Sequence, residues 1–334
     1  MAPTRGQKIL RRTLTGGTLV LVVAGLLFWT SRSPRGEPIL YVSVALLLGA
    51  IVEATRMGSL GTRDLFPSLV IPAVAAIFAL MQALEPRGGW KLQGAYLFCA
   101  VLAACSYALG QTLSGILSKA LARAVVYGLG AWAILSGQDD VIGAGLTVFV
   151  AFGAIAMIWL AFRSHRWRGL AIATGLAVWI IPPIWGIWGI WDSWATRGLI
   201  AFLLCAKIGD TAGYYVGTAI GKRHPFPTIS PGKTVAGCVG SFIAGTVAGG
   251  VAVATDLLPG SIPAGLAAGA LVNLAAQTGD LLESWIKRKA GVKDSSTVFG
   301  PSGGLLDQID SLLVAVPVAV LAWPWLLGSH PASH

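Results

Sequence analysis

Eleven runs of mostly apolar residues follow one another between residues 15 and 327. They lie near 15–31, 38–55, 65–84, 92–110, 119–135, 141–162, 169–190, 197–219, 235–256, 262–286 and 305–327. A helix needs about 20 such residues to cross the hydrocarbon core of a bilayer. Inside that core every backbone N–H and C=O must be satisfied within the segment, which favours helices. The pattern predicts an all-α polytopic integral membrane protein of about 9–11 transmembrane helices, with no soluble domain. Composition agrees: 55% of residues are hydrophobic and 11% charged, where a soluble domain carries about 25% charge. The basic stretch of residues 5–12 and the apolar run behind it resemble a signal peptide, yet no small-residue cleavage site follows. We therefore expect a retained first span. Cys99, Cys105, Cys205 and Cys238 all lie in apolar segments without a CxxC or Cys/His pattern, and read as small core residues.

The distribution of cations predicts the orientation. With the N-terminus inside and the spans alternating, 18 of the 24 Lys and Arg residues fall on the inner side and 5 on the outer, with Lys207 inside a span. Cytoplasmic loops carry such an excess, so residues 220–234 and 287–304 are expected together at the cytoplasmic face of the inner membrane. The net charge of +10 is then a property of loops at a membrane surface, and no nucleic-acid partner is expected.

Ionisable groups within spans are costly and point to function. In the tenth run Asn273, Gln277, Asp280, Ser284 and Lys287 recur at intervals of four and three, forming one stripe of a helix. A stripe of this kind could also be a polar seam joining two helices. In the eighth run Lys207, Asp210, Tyr214, Gly217 and Gly221 share a face. Lys207 and Asp210 could form a structural ion pair, and the Gly217–Gly221 spacing allows close helix approach, within the chain or in a homodimer. The last run opens with Asp307 and Asp310 on one face near its N-terminus, where the helix dipole favours carboxylates. Carboxylates so close, on neighbouring spans, would repel unless a cation lay among them. Mg²⁺ is commonly held by one or two carboxylates plus substrate phosphate. Asp280 and Asp307 are the expected metal pair, with Asp310 and Asp294 nearby.

The loops add complementary groups. "SPGKT" places Ser230, Lys233 and Thr234 directly before a span, where a helix N-terminus can hold phosphate. It is not a P-loop, because Pro227 occupies the position of the leading Gly. "GPSGG" brings the backbone N–H groups of Gly303 and Gly304 to another helix start. Lys287, Arg288, Lys289 and Lys293 add positive charge, part of it the ordinary bias of inner loops. These groups suit a polyphosphate with Mg²⁺ meeting a second substrate that lives in lipid. The chain accordingly reads as residues 1–190, a scaffold of spans offering lipid access or dimer contacts, and residues 191–334, the catalytic region.

At these residues the sequence resembles the phosphatidate cytidylyltransferases, or CDP-diacylglycerol synthases. Their pattern S-x-x-K-R-x4-K-D followed by a Gly-rich turn and G-G-x-x-D-x-x-D is matched by Ser284, Lys287, Arg288, Lys293, Asp294, Gly303, Gly304, Asp307 and Asp310. The preceding G-D-L-x-E-S is matched by Gly279 to Ser284, D-x-x-A-Y-x-x-G by Asp210, Tyr214 and Gly217, and S-P-x-K-T by Ser230, Pro231, Lys233 and Thr234. Order and spacing agree over residues 205–315. The sequence departs at Ala236, where the family has Glu, at Ser302 in place of His, and at Gln308 in place of Arg. The resemblance implies transfer of a cytidylyl group from CTP to phosphatidic acid, giving CDP-diacylglycerol and pyrophosphate. It also implies Mg²⁺, with a second cation as an option. Lys233, Lys287, Arg288 and Lys293 would neutralise phosphate oxygens, and Ser230, Thr234 and Ser284 would donate hydrogen bonds. Asp210 and Asp294 would orient these cations or join the metal shell. Two alternatives stay open: a nucleotidyltransferase acting on another lipid phosphate, and a cation-coupled transporter. The second lacks the internal repeat that transporters usually carry.

Overall fold

The computed structural model describes residues 5–33, 36–57, 69, 167–300 and 303–328. The expected spans at 65–84, 92–110, 119–135 and 141–162, with Cys99 and Cys105, lie outside the described residues apart from Leu69, which is helical and buried. The described residues form helices and connecting turns, with no strand among them: α1 Arg5–Arg32, α2 Glu37–Arg56, α3 Trp167–Ile220, α4 Val235–Ala254, α5 Ile262–Ala290, α6 Leu305–Ile309 and α7 Leu312–Leu327. Four segments among them are long and apolar enough to cross a membrane: Glu37–Arg56, Ala171–Ile220, Val235–Ala254 and Leu305–Leu327. The all-α polytopic fold follows. The 29-residue α5 is not among the four, since its second half carries the polar stripe. At 1.5 Å per residue it is nevertheless about 43 Å long, enough to span.

The chain divides into two compact units, one of residues 1–43 and 186–334, the other of residues 44–185. All the candidate site residues belong to the first.

Two expected spans, 169–190 and 197–219, are joined in α3. Helical geometry continues through Pro182 and Pro183 and is interrupted at Ala195, whose φ of 53° and ψ of −159° suit glycine. The joint lies among tryptophans, as expected at a membrane–water interface. Trp188, Trp191 and Trp194 are buried, Trp194 meets Trp323 edge-on with centroids 5.5 Å apart, and Trp194 Nε1 donates to the Gly328 carbonyl at 3.3 Å. This packing holds Ala195 in a conformation that costs an L-residue about 1–3 kcal/mol. Ala195→Gly is expected to raise the thermal midpoint in detergent by a few degrees, read from tryptophan fluorescence; a lowered midpoint would show that the joint carries no strain.

Small residues let α3, α4 and α5 approach closely, the usual route to helix association in lipid. A Cβ on Gly213 would stand 2.9 Å from the Gly237 carbonyl oxygen, and one on Gly269 2.9 Å from Gly249 Cα. Gly217 and Gly221 lie against Thr234 of the α4 N-terminus, so this glycine pair serves an internal contact. The opposite face of α4 leaves Val235, Val239, Ile243, Val247 and Val251 exposed at four-residue spacing, a face suited to acyl chains. Cys205 is buried and Cys238 half-buried, both free, as expected of core residues. The final run, expected as one helix, is carried by α6 and α7, which join through Asp310 and Ser311, both with right-handed helical dihedrals; Gly279 of α5 lies beside this joint, where an added Cβ would stand 2.6 Å from the Asp310 carbonyl oxygen.

Candidate active site

The polar stripe of α5 divides into two parts with different work. Asn273 is fully buried, donates to the Cys205 carbonyl at 3.3 Å, and accepts from Ser241 Oγ at 3.3 Å and Gln277 Nε2 at 2.8 Å. Gln277 also donates to the Cys238 carbonyl at 3.3 Å. These residues tie α3, α4 and α5 together, as a polar seam would. One turn further on, from Asp280 to Lys287, the stripe meets the loops and α6.

There the charges form two neighbouring groups. In the first, Lys233 Nζ lies 2.7 Å from Asp280 Oδ2, with the two side chains 21% and 33% exposed. Asp210 and Asp310 stand close enough to Asp280 to repel it, and Lys207 and Lys233 supply the countercharge. Lys207 Nζ is 3.8 Å from Asp210 Oδ2 and donates to the Gln308 carbonyl at 3.1 Å and Ser311 Oγ at 2.8 Å. Asp310 is buried and accepts from its neighbour's backbone, Ser311 N, at 2.5 Å.

In the second group Lys287 Nζ sits 2.5 Å from both Glu283 Oε2 and Asp307 Oδ1. The other Asp307 oxygen accepts from Ser295 N at 2.9 Å, Ser295 Oγ at 2.7 Å and Gly304 N at 2.6 Å. Gly303, with φ +82°, brings the backbone against this carboxylate. Asp307 therefore ties Ser295 and Gly304 to Lys287 at the end of α5. Asp280 and Asp307, expected as a pair, each begin in a different group.

The remaining candidates take distinct places. Thr234 is buried and caps α4, its Oγ1 accepting from Gly237 N at 3.1 Å. Ser230 belongs to the turn before it, with its N–H on the Phe226 carbonyl at 2.9 Å and its carbonyl accepting from Lys233 N at 3.2 Å. Arg288 donates to the Ile229 carbonyl at 3.4 Å and the Val292 carbonyl at 3.3 Å, joining both loops. Ser284 is half-buried, while Lys293 and Asp294 are exposed on the loop. Tyr214 is exposed and packs edge-on against Tyr215, with centroids 5.6 Å apart. The α5 C-terminus closes on Gly291 in the left-handed region, φ 77°, with Lys287, Arg288 and Lys289 in the last turn, where the helix dipole favours cations.

Motif reading gave no role to Glu283, although its spacing of four from Lys287 was a pairing signal. Ser295 and Ser311 carried no sequence signal, since their partners lie on other elements.

Asp280 offers hard oxygens near the surface of the bundle, the donor type that Mg²⁺ prefers. Among the described residues no three His, Cys, Asp or Glu side chains are placed to enclose a metal ion by themselves. An ion here would complete its shell with water and substrate phosphate, as Mg²⁺ commonly does.

A family model described as "Cytidylyltransferase family" matches residues 10–324, and the chain belongs to that family. Among curated proteins it is similar to the phosphatidate cytidylyltransferase of Aquifex aeolicus, 33% identical over 173 residues that make up 52% of this chain and 65% of that protein. The phosphatidate cytidylyltransferase of Pseudomonas aeruginosa is 34% identical over 168 residues, 49% of this chain and 60% of the relative. The uncharacterized protein YnbB of Escherichia coli is 40% identical over 121 residues, 36% of this chain and 40% of the relative. The chain thus spans less than two thirds of the length of each of these relatives.

Proposed function

We propose that this protein transfers a cytidylyl group from CTP to phosphatidic acid, giving CDP-diacylglycerol and pyrophosphate, at the cytoplasmic face of the inner membrane. The observation that carries the reading is the joining of Asp210, Lys233, Asp280 and Asp310 at one end of three packed helices, within a chain of the cytidylyltransferase family. Carboxylates and lysines together match a nucleoside triphosphate that arrives with a divalent cation. The apolar flanks admit the tails of a lipid phosphate.

A lipid phosphate oxygen attacks the α-phosphorus of CTP, the bond to the bridging oxygen breaks, and pyrophosphate leaves. The attacking group is largely ionised near neutral pH, so no general base is needed. The work is positioning and charge neutralisation. Asp280 would hold the divalent ion, with Asp310 beside it and Asp307 joining by exchanging one of its present donors. When bound, that ion would neutralise phosphate charge. Lys233 is placed to follow a phosphate oxygen once Asp280 takes the ion. Arg288 keeps the two loops in register, and Lys293 and Ser284 offer further donors at the rim. Membership of a nucleotidyl-transferring family weighs against the transporter alternative.

The test uses the purified protein in detergent with CTP, Mg²⁺ and phosphatidic acid. CDP-diacylglycerol and pyrophosphate are expected in equal amounts. Product formed only with a different lipid phosphate would reassign the acceptor. No CTP consumption with any lipid phosphate would overturn the reading.

A further inference from the structure

We propose that Lys207 is a positioning residue: its ammonium fastens the helical turn that joins α6 and α7 and thereby fixes the place of Asp310. This rests on the proposed divalent-dependent transfer. An ammonium inside a spanning segment is costly, and the i,i+3 spacing alone would assign Lys207 to Asp210. The geometry points elsewhere. Asp210 is 3.8 Å away, beyond a direct hydrogen bond, whereas Gln308 O and Ser311 Oγ lie at 3.1 and 2.8 Å. Both acceptors come from more than 100 residues further along the chain.

The two acceptors bracket the carboxylate that matters. Gln308 lies in the last turn of α6. Ser311 precedes the first residue of α7. Asp310 lies between them, buried, with its Oδ1 on the Ser311 N–H. One lysine on α3 therefore fastens both sides of the turn carrying Asp310, and also supplies charge opposite Asp210 and Asp310. A lone countercharge would need neither hydrogen bond.

Ser311→Ala separates these roles, because it removes one of the two hydrogen bonds and leaves every charge in place. Lys207→Met removes both bonds and the charge, and Lys207→Arg keeps charge and donors. The measurements are Mn²⁺ affinity by electron paramagnetic resonance, kcat, and KM for CTP, on the full chain in detergent. Ser311→Ala is expected to weaken Mn²⁺ binding about tenfold, the scale for loss of a group that supports a ligand. Lys207→Met is expected to lower kcat by at least about tenfold with little change in KM, and Lys207→Arg to restore most of it. Mn²⁺ binding and kcat in Ser311→Ala equal to wild type would overturn the proposal, even if Lys207→Met fails to fold. Mn²⁺ binding by a wild type that makes no CDP-lipid would sink the transferase reading while the affinity comparison still decides the role of Lys207. A wild type that binds no Mn²⁺ would overturn the role given to Lys207, while formation of CDP-lipid would still decide the transferase reading.

Discussion

Asp280→Asn is expected to lose roughly 10²- to 10³-fold of the CTP-dependent rate, the scale for removing one preorganised electrostatic group, while the protein remains folded. The two halves of that expectation come from one local geometry. The Asp280 side chain is 33% exposed and its ion pair is with Lys233, itself 21% exposed. Partly solvated pairs of this kind contribute about 0–1 kcal/mol, so stability changes little. The amide retains the shape but not the charge, and with it goes the hard oxygen that would hold Mg²⁺ against phosphate. Raising Mg²⁺ should recover part of the rate, since a weakened site fills at higher ion concentration. The checks are initial rates of CDP-diacylglycerol formation over a Mg²⁺ series and a thermal midpoint in the same detergent. A rate within threefold of wild type would remove Asp280 from the proposed metal site. A collapsed midpoint would make it structural.

Much of this arrangement was legible in the sequence, for identifiable reasons. Long apolar runs announce spans because lipid leaves the backbone few alternatives, and α2, α4 and α5 fall where those runs lie. The stripe from Asn273 to Lys287 was legible because helical spacing puts its members on one face. What spacing did not reveal is the point where this stripe changes character. Asn273 and Gln277 bond to Cys205, Cys238 and Ser241 on other helices, and no local pattern names partners more than 30 residues away. The same limit applies to Lys207, whose local match to Asp210 concealed its bonds to Gln308 and Ser311. The contacts at the joint between α6 and α7 were hidden too. They are tertiary: Gly279 brings α5 against the Asp310 carbonyl, and Lys207 reaches in from α3.

Lys287→Met is expected to destabilise the protein by roughly 3–5 kcal/mol, the range for removing one partner of a buried ion pair. The sequence pattern alone placed Lys287 among groups that neutralise substrate phosphate. The structure gives it a second task. Its ammonium is 11% exposed and lies 2.5 Å from two carboxylates, Glu283 at 0% and Asp307 at 10% exposure. Without it, Glu283 would be left as an uncompensated buried charge or would have to take up a proton. Asp307 would keep Ser295 and Gly304 as donors and would suffer less. The cost therefore concentrates on Glu283, and a second change can relieve it. In Lys287→Met/Glu283→Leu an apolar pair replaces the charges, which is often neutral for stability. The double variant should regain most of the lost thermal midpoint. Its CTP-dependent rate separates the two tasks of Lys287. Recovery of rate along with stability would leave Lys287 with a structural role alone, whereas a stable but slow double variant would return it to the phosphate. A single variant as stable as wild type would remove the strut altogether, because no fully buried carboxylate can lose its counter-ion without cost.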